Sequence, residues 1–264
     1  MSIITISKGN YLFGKEAAET LAKKLSYECI SRENILNASG QFNPQEIKLS
    51  QNQEIPPSIF DRLFINKEKY RIYIRSAFLK CIKKDNTIYH GFAGHIFVQD
   101  IPNICKIMIT VGMKHRIDNV MQLKKVSSKE AQKIIEKEDA DRRKFGVKLY
   151  GVDINEPNLY DLVIRIDNMT LDNVIDIILN TINKPCFQIS SESIQTLNDL
   201  ALEAEIRAQL YEKFPTSRHI SCKKGNATVL IEGTVRFKEK ASPEIKEILD
   251  KIEDLKNYEL LFKH

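Results

Sequence analysis

The sequence predicts an α/β domain followed by a smaller α+β domain. In the first part of the chain, short β-branched segments alternate with longer segments whose apolar residues recur at helical spacing. Strands that alternate with helices pair in parallel, because parallel neighbours need a long crossover between them. After residues 184–192 the order changes to helix, strand, strand, helix, strand. We therefore predict a layered parallel sheet over residues 1–184 and an αββαβ domain over residues 193–264.

Within the first domain, apolar spacing and turn residues predict each element. The segment 3–6 reads as a buried strand, and the turn cluster Ser7-Lys8-Gly9-Asn10 leads from it into a helix over 14–25. Ser31 caps one following helix, and Ser127 with Glu130 forms a capping-box start for another. Residues 40–58 are polar and rich in proline, which indicates an irregular insertion. The other predicted strands span 27–30, 86–90, 104–111 and 162–166, and the other predicted helices span 67–83, 114–123 and 167–180.

The second domain begins after a predicted linker over residues 184–192, KPCFQISSE. A long helix is predicted over 193–214, and two strands are predicted on either side of Gly225-Asn226. Ser242-Pro243 is predicted to open a second helix, because proline is well tolerated in the first helical turn. Residues 258–262 form the last predicted strand.

The composition narrows the class of protein. With 42% hydrophobic and 28% charged residues, the chain has a soluble globular composition. The formal charge of +5 is mild and its basic residues are interleaved with acidic ones, so no nucleic-acid partner is expected. No apolar run approaches a membrane span, and the start is too short and polar for a signal peptide. The cysteines are scattered without a C-x-x-C pair, which argues against zinc and against a disulfide framework. We expect a cytoplasmic protein without a metal site built from its own side chains.

A phosphate-binding loop is predicted between the first strand and the first helix. Gly9, Gly14 and Lys15 fit the pattern G-x-x-x-x-G-K, in which backbone N–H groups and a lysine surround an anion. A glycine turn without a ligand is the alternative interpretation. Glu16 replaces the usual hydroxyl residue, and we interpret it as a helix-start residue rather than a metal ligand. The predicted phosphate-binding residues are Gly9, Asn10, Tyr11, Leu12, Phe13, Gly14, Lys15, Glu16 and Ala17.

Four separated blocks of the first domain belong together: MSIITISKG, FGKEAAETLAKKLSYECISRENIL, DNTIYHGFAGHIF and DADRRKFGVKLYGVDINEPNLYDLVIRID. In this order they resemble the cytidylate kinase-like family, which belongs to the P-loop nucleoside monophosphate kinases. The resemblance covers residues 1 to about 183.

The resemblance implies a fold and an activity. It implies a P-loop three-layer fold with a five-stranded parallel sheet, an insertion over about 35–85 and a lid over about 124–150. Such kinases move the γ-phosphoryl group of ATP to a nucleoside monophosphate with Mg²⁺, mainly by positioning and positive charge. The implied catalytic residues are Lys15, Arg116, Arg142 and Arg143.

The acceptor side departs from the family pattern. Cytidylate kinase reads its acceptor with a Gly-Arg-Asp block, whereas this chain has Gly91-Phe92-Ala93. A His-Gly-x-Ala-Gly-His block of the looser family resembles residues 90–95 instead, so the acceptor is left open. A catalytically weak nucleotide-binding regulatory protein is therefore the alternative, and a scaffold that keeps only the kinase fold is a third hypothesis.

The acceptor-binding candidates come from two places. Arg71 and Arg75 lie one helical turn apart and can face one anion, although a solvated helix face explains them equally well. The alternative interpretation of His90 and His95 is that they satisfy buried backbone groups. The full set is Arg71, Arg75, His90, Gly91, Gly94 and His95.

The C-terminal domain resembles a BON domain in its αββαβ order. The segment VLIEGTVRF, in which a glycine interrupts the predicted strand, carries this resemblance. It implies binding of a small ligand, a lipid or a protein partner. A generic αββαβ interaction module is the alternative interpretation.

Overall fold

The structure is a computed structural model that describes residues 2–8, 12–40, 67–84, 86–215 and 217–263. The chain divides into two compact units, each made of two chain segments. The first unit contains the described residues of Met1–Ile65 and Lys84–Ile189. The second contains those of Asn66–Lys83 and Ser190–His264. Neither unit is continuous along the chain.

The first unit is built on a five-stranded parallel sheet, as predicted. The strand order is β2-β3-β1-β4-β5, so that β1 lies at the centre between β3 and β4. The strands are β1 (Ile3–Lys8), β2 (Glu28–Ser31), β3 (Thr87–His90), β4 (Cys105–Val111) and β5 (Leu162–Ile166).

Helices cover both faces of this sheet, which confirms the three-layer fold. On one face, Ile4, Ile6 and Ile107 form a fully buried core with residues of α1 and α7. On the other face, β1 contacts α4 and the following helices α5 and α6 extend the layer. The helices are α1 (Leu12–Leu25), α2 (Arg32–Ser39), α4 (Gly94–Phe97), α5 (Met113–Lys124), α6 (Ser128–Tyr150) and α7 (Leu171–Ile182).

Capping residues set most helix starts where the sequence predicts them. Ser31 and Ser127 each accept from a backbone N–H three residues on, in capping boxes completed by Asn34 and Glu130. The start of α7 differs from the predicted residue 167. Thr170 caps α7, so this helix begins four residues later than the sequence predicts. Capping chemistry therefore decides the boundary more sharply than apolar spacing does.

The second unit has the predicted αββαβ order and one additional helix. Its three-stranded sheet has the order β6-β7-β8, with an antiparallel first pair and a parallel second pair. A buried core joins this sheet to α8 and α9. The elements are α3 (Lys67–Ile82), α8 (Ser191–Tyr211), β6 (Ser217–Lys223), β7 (Asn226–Glu232), α9 (Val235–Leu249) and β8 (Asn257–Lys263).

Two details of the predicted C-terminal domain are wrong. Gly233 follows β7 and does not interrupt it, and its N–H donates to the carbonyl of Lys263 at 3.1 Å. The second helix begins at Val235 after the cap Thr234, so that Pro243 lies inside the helix rather than at its start. The helix begins after Thr234 because the Thr234 side chain accepts a hydrogen bond from the N–H of Phe237, a donor in the first helical turn.

Helix α3 belongs to the second unit, whereas the sequence assigns it to an insertion of the first domain. Its Tyr73 ring meets Tyr211 edge-on, with ring centroids 6.4 Å apart. Arg75 and Glu203 form an ion pair at 3.4 Å, and Lys80 pairs with Glu205 in α8 at 3.7 Å. Its buried residues are Tyr70, Ile72, Tyr73, Ile74, Ala77, Phe78, Leu79 and Ile82. An apolar surface this broad needs cover on several sides, and α8 supplies part of it.

Among the described residues, no helix combines the length and apolar character needed to cross a membrane.

Candidate functional site

The predicted phosphate loop lies where the central strand β1 meets α1. Gly9, Asn10 and Tyr11 lie outside the described residues, and the side chain of Leu12 is not described. Downstream of them, Phe13 packs partly buried against the core and Gly14 and Ala17 are buried, while Lys15 and Glu16 are exposed. The Lys15 amine lies 3.6 Å from the carboxylate of Glu19, one turn along α1. Lys15 is therefore accessible to an anion at the start of the helix.

The strand order places this loop at a switch point of the sheet. The chain passes from β3 on one side of β1 to β4 on the other. In open α/β sheets, ligands bind beside the carboxyl ends of strands at such a point. The expected site is therefore bordered by the residues that follow β1, β3 and β4.

Two glycines at this edge allow close approaches that other residues would prevent. Gly91, after β3, has φ of +153° and donates its N–H to the carbonyl of Ile6 at 3.2 Å. A Cβ on Gly91 would lie 2.7 Å from the Tyr89 hydroxyl. Gly112, after β4, donates to Asp167 at 2.8 Å, and a Cβ there would lie 2.2 Å from the same carboxylate. These glycines keep the ends of β1, β3, β4 and β5 closely joined.

A buried polar cluster lies on the sheet face opposite α1. Ser7 alternates with Ile6 along β1, so its side chain points away from the α1 core. Its hydroxyl lies 2.9 Å from Nδ1 of His95 in α4. The rings of His95 and Tyr160 stack with centroids 4.3 Å apart, and the Tyr160 hydroxyl donates to the carbonyl of Ile154 at 2.6 Å. We call Thr5, Ser7, His95 and Tyr160 the polar cluster.

Burial holds His95 in its neutral form. Desolvation, together with the positive charges of Arg142 and Lys106, lowers the pKa of His95 to about 3. Its Nε2 atom and the hydroxyl of Thr5 are buried and have no hydrogen-bond partner among the described residues. Burial also raises the pKa of Tyr160 to about 12. The cluster therefore offers uncharged donors and acceptors at neutral pH.

Phe92 follows the Gly91 turn at the end of β3. Its ring lies under two guanidinium groups, with Arg32 of α2 at 5.3 Å and Arg142 of α6 at 5.2 Å from the centroid. The ring of Phe145 is 5.0 Å away. The aromatic residue thus assembles two arginines from different helices beside the Gly91 turn.

Two of the predicted catalytic arginines, Arg116 and Arg143, form ion pairs with carboxylates. Arg116 makes a bidentate pair with Asp139, at 2.8 and 2.7 Å, which joins α5 to α6. Arg143 is exposed and pairs with Asp153 at 2.9 Å. A substrate phosphate would have to compete with these carboxylates for the guanidinium groups.

The predicted acceptor-binding residues are divided between the two compact units. Strand alternation places His90 on the same face as Ile88, which belongs to the α1 core, whereas His95 lies on the opposite face. Gly91 and Gly94 lie between them. Arg71 and Arg75 belong to the second unit, where Arg71 is exposed and Arg75 pairs with Glu203. His90 lies in β3 beside Ile6 of β1, and the His95 side chain contacts Ser7 of β1.

Sequence reasoning missed the partners of His95 and Arg142. The sequence pattern assigns Ser7 to a turn cluster. In the structure Ser7 is the penultimate residue of β1, and its side chain contacts His95. Tyr160 reads as structural, and Arg32 carries no motif. The alternation of Thr5 and Ser7 with Ile4 and Ile6 was the available signal, because polar residues on a central strand must meet polar partners.

The described residues supply no metal site of their own. Among them, no group of three or more His, Cys, Asp or Glu residues comes close enough together to hold an ion. Mg²⁺ usually keeps several waters and is bound through one or two carboxylates and substrate phosphates. Mg²⁺ would therefore be held largely by the phosphates of a bound nucleotide, and Glu16 is the acidic residue of the predicted loop.

A parallel sheet of this order, with a lysine-bearing helix after its central strand, defines the class of P-loop proteins. The model of the cytidylate kinase-like family matches residues 3–168, and the chain belongs to that family. This confirms the family resemblance predicted for the first domain. The match ends before α8 and the three-stranded sheet, so the BON-like resemblance stays a prediction.

Individual proteins agree with the family match. A cytidylate kinase of Saccharolobus islandicus is 29% identical over 160 residues, which are 60% of this chain and 79% of that protein. A cytidylate kinase of Methanosarcina barkeri is 26% identical over 88 residues, 33% of this chain and 48% of its own. A solved structure from Eubacterium ventriosum, of an uncharacterised protein, superposes with a TM-score of 0.53 at 19% identity. It covers 69% of this chain and 98% of its own, and it supports the fold alone.

Proposed function

We propose that this protein is an ATP-dependent phosphotransferase of the nucleoside monophosphate kinase type. It would move the γ-phosphoryl group of ATP to a nucleoside monophosphate or a related small phosphorylated acceptor. The observation that carries the proposal is the exposed Lys15 at the start of α1, directly after the central strand of a parallel sheet. Membership of the cytidylate kinase-like family supports the same chemistry.

The nucleotide side would act through charge and backbone donors. The N-terminus of α1 would direct its first N–H groups and the positive end of its dipole to an anion. Lys15 adds a full positive charge that the β- and γ-phosphates attract, and Glu19 leaves it only weakly engaged at 3.6 Å. Mg²⁺, when bound with the nucleotide, supplies further charge neutralisation. The predicted loop residues Gly9 to Phe13 would close around the phosphates.

The acceptor side would be formed by Phe92, its two arginines and the polar cluster. Arg32 and Arg142 both lie against the Phe92 ring, so two positive charges are held next to the Gly91 turn. Such a pair suits a phosphate of the acceptor. The neutral His95 would provide a hydrogen bond without a charge, which suits a base or a sugar hydroxyl. Arg116 and Arg143 in and beside the lid would stabilise the transferring group once they leave their carboxylate partners.

Turnover by the full chain tests this proposal directly. Purified protein with ATP, Mg²⁺ and a panel of nucleoside monophosphates should release ADP only when a suitable acceptor is present. Lys15→Ala should reduce that turnover by about 100-fold or more, because the positive charge that stabilises the transferring phosphoryl group is lost. Lys23→Ala, on the last turn of the same helix, is the matched control and should keep full turnover.

A catalytically weak nucleotide-binding regulatory protein is the second candidate. Glu16 in place of a hydroxyl residue, and Phe92-Ala93 in place of the Arg-Asp pair of cytidylate kinase, favour it. Calorimetric titration with ATP separates the two functions. Binding that depends on Lys15, without ADP release on any acceptor, supports the regulatory protein. An absence of nucleotide binding would overturn both.

A further inference from the structure

The last strand of the second unit is an edge strand with unusual self-complementarity. β8 pairs on one side with β7, and within the described chain no strand pairs with its other side. Its inward residues Tyr258, Leu260 and Phe262 are only partly buried although they pack against the core. An edge of this length and apolar content is a template for pairing with another strand.

The outward face of β8 carries one apolar residue between two opposite charges. Leu261 is 41% exposed, and Glu259 and Lys263 flank it two residues away on the same face. In an antiparallel pair of two such strands centred on Leu261, each Glu259 lies opposite the other copy's Lys263. Opposite charges directly across an antiparallel pair are favourable, and like charges there are unfavourable.

The backbone of β8 has the phase that this pairing needs. The carbonyl of Lys263 accepts from Gly233, so it points toward β7. Because the directions of backbone groups alternate along a strand, those of Leu260 and Phe262 point to the open edge. In the pairing centred on Leu261, Leu260 lies opposite Phe262 of the second copy, and the two exchange hydrogen bonds. The charge pairs then occupy the intervening positions, where opposing side chains come closest.

We propose that β8 binds β8 of a second copy of this chain in an antiparallel, two-fold symmetric pair. The pairing would join two three-stranded sheets into one six-stranded sheet. It satisfies the open backbone groups, covers the half-buried inward residues and forms two Glu259–Lys263 ion pairs. This inference is independent of the proposed kinase activity. The proposed pairing surface lies in the second unit, whereas the phosphate loop and the polar cluster lie in the first.

Charge reversal on each strand tests the proposal without relying on a loss of folding. Sedimentation velocity of the full chain over a concentration series should show a monomer–dimer equilibrium. Glu259→Lys places lysines opposite lysines, and Lys263→Glu places glutamates opposite glutamates. Each variant alone should dimerise at least about tenfold more weakly, whereas an equimolar mixture should dimerise again, because every opposing pair is then of opposite charge.

The control variant and the overturning results complete the test. Glu253→Lys makes the same charge change at an exposed residue outside β8 and should leave dimerisation unchanged. A wild-type chain that stays monomeric at a concentration of about 100 μM would overturn the proposal. So would single variants that dimerise as the wild type does, or a mixture that fails to restore the dimer. A dimer unaffected by any of these changes would place the contact on another surface.

Discussion

The two sheets of this protein differ in how much of their surface the chain itself covers. In the first unit all of β3 is buried, and β1 has no exposed residue among those whose exposure is described. In the second unit β7 alternates between buried and partly buried residues and is exposed only at its ends, and β8 alternates between exposed and partly buried residues. The covered sheet therefore shields polar groups such as those of Ser7 and Thr5 from water. Polar interactions in such a buried environment are stronger than in water. The half-open sheet keeps its polar groups in water and is suited to association.

The largest contrast is expected from removing an apolar side chain in each sheet. Ile107→Ala should lower the free energy of unfolding of the first unit by about 2–5 kcal/mol, because this buried residue leaves a cavity. Leu261→Ala should cost no more than about 0.5 kcal/mol, since much of the side chain already contacts water. Urea titration below the dimerising concentration measures both. Equal losses would contradict the contrast between a covered and a half-open sheet.

A methyl group added at the carboxyl edge of the covered sheet should cost somewhat less. Gly112→Ala brings a Cβ against the Asp167 carboxylate, so a loss of about 1–3 kcal/mol is expected as the two strand ends separate. Gly40→Ala is the matched control, because its Cβ meets nothing within 4 Å and only its φ of +63° is unfavourable. Thermal unfolding compares the two. If Gly112→Ala is the milder change, the strand ends are not closely joined.

The buried, neutral His95 should make the stability of the first unit sensitive to mild acid. The unfolded chain binds a proton on His95 below about pH 6.5. In the folded chain, burial keeps the pKa at about 3. The unfolded state thus holds more protons between these values, so stability is full above pH 6.5 and falls as the pH drops toward 3. The expected loss approaches about 1.4 kcal/mol per pH unit.

His95→Gln removes this titration and is the appropriate comparison. Below pH 6 the urea midpoint of the wild type should fall more steeply with decreasing pH than that of the variant. Parallel pH profiles would show that His95 is charged or exposed in the folded protein. The second unit should show no such difference between wild type and variant.

The smallest effect is expected at the ion pair that joins α5 to α6. Asp139→Asn breaks the bidentate pair with Arg116 and should cost about 1 kcal/mol, because both side chains retain some contact with water. If Arg116 stabilises the transferring group, releasing it should lower the KM for ATP or leave it unchanged. Asp153→Asn, which releases the exposed Arg143, should cost still less. A loss of activity in Asp139→Asn would assign the pair a positioning role instead.

The sequence predicts the framework of the molecule better than its site. Strand and helix order followed from β-branched runs, helical spacing and capping residues such as Ser31 and Ser127, because these act over a few neighbouring residues. The polar cluster did not follow, since Ser7, His95 and Tyr160 are distant in the chain and meet only through the sheet. The engagement of Arg116 by Asp139 was equally invisible, because it depends on how α5 and α6 pack. The predicted helix over 167–180 missed by four residues at its start because a side-chain cap outweighed apolar spacing.

The placement of α3 has a consequence for how the protein is made. This helix ends at residue 82, and its packing partner α8 begins at residue 191. A ribosome that adds roughly 5–20 residues per second needs about 5–20 seconds to synthesise the chain between them. During that interval the broad apolar surface of α3 lacks its native partner. We therefore expect nascent chains arrested shortly before residue 191 to be more prone to chaperone capture than those that include α8.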